Sequence, residues 1–416
     1  MITHRSRPAL SLTAAASATA LAGAALLTGC GGSGGSSAPT AGAGSSPAAA
    51  PASAAGSTSS AAAPNATPAS CVDRTMSKLT EAQRVGQLFL VGMSGDSAGS
   101  ATATAERQYH FGSMLFAANT SAGAQQVATT TKFVQSLATP ADTGGVRFFV
   151  AANQEGGQVQ NLKGAGFPDM PAATAQGQLS PSQLQGEAAE WGKDLKAAGV
   201  NLDLAPVMDV VPPGTASSNA PIGQLDREFG STAAGNGAHG AAFIKGMTSA
   251  GVATSGKHFP GLGKVAGNTD FTANVVDTST APNDPDLATY RYAAQAGVPF
   301  MMIATATYKE IDPSHMAAFS PAVMKLLKTA AGFNGVVISD DLGDAANVAS
   351  IPAGQRAIAF LQAGGDMVTS QSFAPAEQME AAVLSRAQSD PSFRSTVNTA
   401  AGKILTAKQK YGLLSC

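Results

Sequence analysis

The chain has 416 residues, a net charge of −2 and only 12% charged residues. A balance so close to neutral gives no support to nucleic-acid binding, or to adhesion of a folded domain to a membrane surface. The chain is long enough for one large domain once its first part is set aside.

That first part does not read as fold. Arg5 and Arg7 precede an Ala/Leu-rich run from Ala9 to Leu27, which ends in Leu27-Thr28-Gly29-Cys30. A basic start, a short apolar core and a small-residue cleavage site make a secretory signal rather than a membrane span. Leu-Thr-Gly-Cys also resembles a bacterial lipobox, which makes residues 1–29 a lipoprotein signal peptide and Cys30 the lipidated first residue. Ordinary cleavage nearby, with Cys30 incidental, is the alternative. Residues 30–70 are almost wholly Gly, Ser, Ala, Pro and Thr. Such a composition buries no core and predicts a disordered tether. The expected location is extracytoplasmic, with membrane contact only through the N-terminal anchor. Two other cysteines stand at the first and last residues of the remaining domain, Cys71 and Cys416. Outside the cytoplasm they are expected to form a disulfide, with two free thiols as the alternative.

Within residues 71–416 eight apolar, strand-like runs follow one another: 87–91, 113–116, 147–152, 201–206, 252–258, 300–305, 335–340 and 366–369. Helical patterns lie between most of them, at 121–137, 180–198, 232–250, 284–296, 321–330 and 353–363. Two more, 375–388 and 391–411, close the chain, each with a Pro at its start where the missing N–H costs nothing. Short continuous apolar strands alternating with helices predict a parallel sheet covered on both faces. Eight such units fit a single (β/α)8 TIM-type barrel better than an open sheet.

A barrel presents its chemistry just after the C-terminal ends of its strands. The third run leads into Asn153, the fourth into Asp209 and on to Arg227, the fifth into Lys257 and His258, and the seventh into Asp340 and Asp341. A carboxylate at the end of a buried strand is costly unless it is paired or used, which singles out Asp340. Its neighbour Asp341 suits a structural role as a cap. Arg227, Lys257 and His258 supply the donors a polyhydroxylated ligand needs. For His258 a satisfied core histidine is the plain alternative. No nucleotide-binding glycine loop, no metal-ligand spacing and no serine elbow is present, so no cofactor and no metal are expected.

Five segments carry a family resemblance: Asn-Gln-Glu-Gly-Gly at 153–157, Asn-Leu-Asp-Leu-Ala-Pro-Val-Met-Asp-Val at 201–210, Asp-Arg-Glu-Phe-Gly at 226–230, Lys-His-Phe-Pro-Gly at 257–261 and Ile-Ser-Asp-Asp-Leu at 338–342. Together and in this order they resemble the family 3 glycoside hydrolases, in particular single-domain bacterial N-acetyl-β-glucosaminidases that trim peptidoglycan. The resemblance implies a retaining exo-hydrolase acting on terminal β-linked N-acetylglucosamine in cell-wall fragments, working as a monomer. It casts Asp340 as the nucleophile, with Asn153, Asp209, Arg227, Lys257 and His258 around the sugar. A β-glucosidase or other exo-β-glycosidase is the alternative enzyme, and a non-catalytic wall-sugar-binding lipoprotein the alternative of another kind.

The loop after Lys-His-Phe-Pro-Gly departs from that pattern. The subfamily usually continues His-Gly and later Asp-Ser-His, whose His is the general acid/base. Here Leu262 stands at the first position, and Asn268, Thr269 and Asp270 at the later ones. The acidic residue usual before Gln-Glu-Gly-Gly is also replaced, by Asn153. Three readings follow: Asp270 is itself the acid/base, the enzyme is slow for want of one, or the domain binds without hydrolysing.

Overall fold

The computed structural model describes residues 69–93 and 98–416. The predicted signal peptide, Cys30 and the tether up to residue 68 lie outside them. Among the described residues no helix is long and apolar enough to cross a membrane.

The eight predicted strand runs form the eight staves of a closed parallel barrel. They are β1 (Phe89–Met93), β2 (Ser113–Phe116), β3 (Phe149–Ala152), β4 (Leu202–Asp203), β5 (Ala253–Phe259), β6 (Phe300–Ile303), β7 (Val336–Asp341) and β8 (Met367–Ser370). Each pairs with its neighbours in sequence, and β1 closes the ring by pairing with both β2 (Leu90 opposite Ser113) and β8 (Phe89 opposite Val368). Nearly every strand residue is buried, as expected when helices cover the outside and side chains fill the inside. Phe149 and Phe300 meet edge to face across the interior, with ring centroids 5.3 Å apart. Burying each such ring stabilises the fold by roughly 1.5–3 kcal/mol.

Strand β4 is shorter than its apolar run and ends at Asp203, although the Leu204 N–H still donates to the Ala152 carbonyl (2.9 Å) and the Pro206 carbonyl accepts from the Lys257 N–H (3.1 Å). The helices over 123–136, 181–197, 233–249, 353–363 and 391–410 fall within two residues of their predicted ends. The helix predicted from Pro375 begins earlier, at Phe373, and Pro375 occupies its first turn. The segment from Pro321 is α-helical to Leu326 and then loosens into a π turn, Leu327–Ala331, that Gly332 ends at φ 69°. Four α-helices among the described residues had no sequence expectation: Cys71–Lys78, Glu81–Gly86, Ser100–Tyr109 and the single turn Ala173–Gln176. The first two carry capping boxes, Ser70 with Asp73 and Thr80 with Gln83, which satisfy the free N–H groups of each first turn.

The chain ends are tied together. Cys71 and Cys416 form a disulfide with Cα atoms 5.7 Å apart. On the closing helix, the buried Lys408 donates to Gln87 Oε1 and to the Gly112 carbonyl, both at 2.7 Å. Burial depresses its ammonium to about 7.

Candidate active site

The site lies at the C-terminal ends of the strands, and its floor is a shared carboxylate. After β3 the chain turns through a short hairpin, Gln154–Gly156 against Val159–Gln160. Gly156 and Gly157 make the turn at φ 104° and 58°, and a Cβ on Gly156 would meet the Pro171 carbonyl at 2.2 Å. The hairpin holds Glu155 in the interior. Arg227 grips it with two parallel bonds, Nε to Oε2 and Nη2 to Oε1, both 2.8 Å, and Lys257 Nζ stands 2.5 Å from Oε1. Burial by itself would raise this carboxyl. The Arg227 and Lys257 charges overcome it and hold the group at about 2.

The two cations keep capacity for a ligand. Lys257 spends a second proton on Asn153 Oδ1 at 2.8 Å, and Arg227 Nη1 reaches the Pro221 carbonyl at 2.7 Å. An ammonium has three donors and a guanidinium five, so one and two remain respectively. An Asp at position 153 would cancel the second cation, whereas Asn153 accepts the hydrogen bond and leaves that charge in the site.

His258 is set from beneath. Its Nδ1 lies 2.7 Å from Asp209 Oδ2, and Asp209 Oδ1 accepts from the backbone N–H of His258 (3.0 Å) and Leu262 (3.1 Å) and from the Tyr290 hydroxyl (2.8 Å). The peptides Lys257–His258 and Phe259–Pro260 are cis. Asp209, expected around the sugar, is 1% exposed and absent from the cavity lining, and both of its oxygens accept hydrogen bonds. These bonds orient the His258 ring through its Nδ1.

The two aspartates of β7 divide their roles. Pairing of β7 with β8 shifts register between Ile338 and Asp341. This bulge re-aims the strand end. Asp341 turns into the protein, where its carboxylate caps the turn by accepting from the N–H of Gly343 (2.9 Å), Asp344 (3.0 Å) and Gln371 (3.1 Å). Asp340 is only partly buried and lines the cavity. One of its oxygens accepts from the Asp341 N–H at 2.9 Å, and no described cation pairs with it.

Asp270 comes from the loop that follows β5. Its loop is held at two points: the Asp270 carbonyl accepts from Ala346 N–H (3.0 Å) and the Thr269 carbonyl from Asn347 N–H (3.1 Å). Asn347 also bonds Val275 N–H (2.9 Å) and the Thr305 carbonyl (2.8 Å) with its side chain. The Asn268 side chain, at the position usual for a carboxylate, accepts from the Asp270 N–H at 2.9 Å. The loop is therefore docked against the segment following β7, which carries Asp340. Burial, then the charge of Asp340, raises the Asp270 carboxyl to about 6, against the pull of His258, Arg227 and Lys257.

Asn153, Arg227, Lys257, His258, Asp270 and Asp340 all line one cavity of about 200 Å³. Glu155 was not singled out from the sequence. The available signal was two cations at neighbouring strand ends, which need a buried counter-charge. Among the described residues no group of three or more His, Cys, Asp or Glu is arranged to hold a metal ion.

The chain is similar in sequence and in fold to known proteins. A β-hexosaminidase from Stenotrophomonas maltophilia is 33% identical over 233 residues, 53% of this chain and 65% of that relative. The chain thus spans just under two thirds of that protein's length. β-Hexosaminidase LpqI of Mycobacterium tuberculosis is 29% identical over 314 residues, 72% of this chain and 76% of the relative. Among solved structures, a β-N-acetylhexosaminidase from Beutenbergia cavernae shares 44% identity with a TM-score of 0.78, covering 80% of this chain and 99% of its own. The model of the glycosyl hydrolase family 3 N-terminal domain matches residues 80–406, from the second helix almost to the end of the last. The chain belongs to glycoside hydrolase family 3.

Proposed function

We propose that the protein is a retaining exo-glycosidase that releases terminal β-linked N-acetylglucosamine from cell-wall fragments. The observation that carries this is the pair of aspartates lining one cavity, of which Asp270 is raised to about 6 by burial and by the charge of Asp340. Two carboxyls with different environments are what an acid and a nucleophile require.

In the first step Asp340 attacks the anomeric carbon and Asp270 gives its proton to the leaving oxygen, so the glycosidic bond breaks and a glycosyl ester forms on Asp340. Arg227, Lys257 and His258 hold the ring hydroxyls and fix the anomeric carbon over the carboxylate. Once Asp340 is esterified its charge is gone. One of the causes raising the Asp270 carboxyl then disappears, which favours the ionised form as Asp270 becomes the base. It takes a proton from water, which attacks the same carbon and frees Asp340. The sugar leaves with its original configuration.

The names of the relatives favour an N-acetylhexosamine over glucose as the sugar. The docked loop favours Asp270 as acid/base over a slow or purely binding protein. The Leu-Thr-Gly-Cys segment supports an extracytoplasmic enzyme anchored by lipid at Cys30. The test is turnover of 4-nitrophenyl N-acetyl-β-glucosaminide by wild type and by Asp340→Ala. The variant is expected to lose turnover. A wild type no faster than the variant on this and on the β-glucoside overturns the enzyme reading in favour of binding.

A further inference from the structure

Phe271 directly follows Asp270 and is 83% exposed, the most exposed large hydrophobic among the described residues. A single exposed apolar side chain on a protein surface is ordinary. Two observations set this one apart. It lines the catalytic cavity itself. Its backbone is also fixed rather than swinging free: the Phe271 N–H donates to the Asn268 carbonyl at 3.1 Å, and the preceding carbonyl, of Asp270, is held by Ala346. The lining of the same cavity also includes apolar groups, among them the half-buried Leu225 and Val159.

We propose that Phe271 is the platform on which the ring of the leaving sugar rests. The inference rests on the hydrolase reading above. When Asp270 protonates the glycosidic oxygen, that oxygen lies against its carboxyl, so whatever is attached emerges beside the next residue along the loop. A pyranose presents C–H groups on one face, and an aromatic ring buries that face while the hydroxyls at its edge stay in water. The occupant is therefore a second sugar ring rather than an alkyl or peptide group joined directly to the anomeric oxygen. The cavity would hold the terminal sugar by polar contacts, and Phe271 would hold the next one by its apolar face.

The experiment compares two substrates with the same terminal sugar, the β1,4-linked N-acetylglucosamine disaccharide and N-acetyl-β-glucosaminyl fluoride, which has no aglycone ring. For Phe271→Ala the ratio of kcat/KM on disaccharide to kcat/KM on fluoride is expected to fall roughly 5–30-fold, the loss lying chiefly in KM. Phe271→Trp should restore the ratio. Equal losses on both substrates, or an unchanged ratio, overturn the platform while leaving the hydrolase reading intact. A wild type inactive on both substrates removes the hydrolase reading and the platform with it.

Discussion

Replacing Asp270 by Asn keeps the shape of the side chain and removes its proton. The structure supplies the magnitude. With the carboxyl at about 6, burial and the Asp340 charge being the causes, about nine in ten free enzyme molecules carry the proton at pH 5 and about one in a hundred at pH 8. For wild type on the disaccharide, kcat/KM should therefore fall about 90-fold between pH 5 and pH 8. The sign follows from the role, since an acid catalyst is lost as pH rises through its pKa. In Asp270→Asn that alkaline fall should vanish and kcat/KM at pH 5 should drop about 10²–10⁴-fold. On the glycosyl fluoride, whose leaving group needs little protonation, the first step should be nearly spared. The assay is initial rates on both substrates across the pH range. Equal losses on disaccharide and fluoride would refute the assignment, as would an alkaline limb that survives in the variant.

Two further predictions concern the supporting structure. Glu155→Gln leaves Arg227 and Lys257 buried without their shared carboxylate, so urea denaturation at pH 7 should show a loss of about 3–5 kcal/mol. A loss below about 1 kcal/mol would mean that the three groups do not act as a buried cluster. Glu380, on the helix Phe373–Ser389, is buried with Oε1 unpartnered, and burial lifts its carboxyl to about 7. Because the folded value lies above the unfolded one, its contribution is intact below about pH 4.5 and is lost as pH rises through 7. Glu380→Gln should therefore gain about 3 kcal/mol over wild type at pH 8 relative to pH 4.5. Equal stability differences at the two pH values would contradict the buried, proton-holding carboxyl.

Much of the fold was legible because its signal is local. Runs such as Phe-Met-Met-Ile and Val-Val-Ile have no polar face, and only a barrel or covered sheet can take eight such strands. The short helices at 71–78 and 81–86 were not legible, because their signal is in caps rather than in periodicity. For the site, Asp340, Lys257 and His258 could be placed because they stand at strand ends. Asp209 looked equally available, but only the tertiary structure reveals that Leu262, Tyr290 and His258 converge on it. Asp270 was named from its position in the loop. Its setting depends on Asn347, 77 residues further on, which no local pattern could connect to it.

The central claim is that Asp340 becomes covalently bound to the sugar. The direct measurement is mass spectrometry of the enzyme after incubation with a 5-fluoro N-acetyl-β-glucosaminyl fluoride, in which the ring fluorine slows the second step. The account predicts one added glycosyl mass per chain, located by proteolysis on the peptide containing Asp340 and absent from Asp340→Ala. Turnover of the parent substrate with no adduct, or an adduct on another residue, would contradict it.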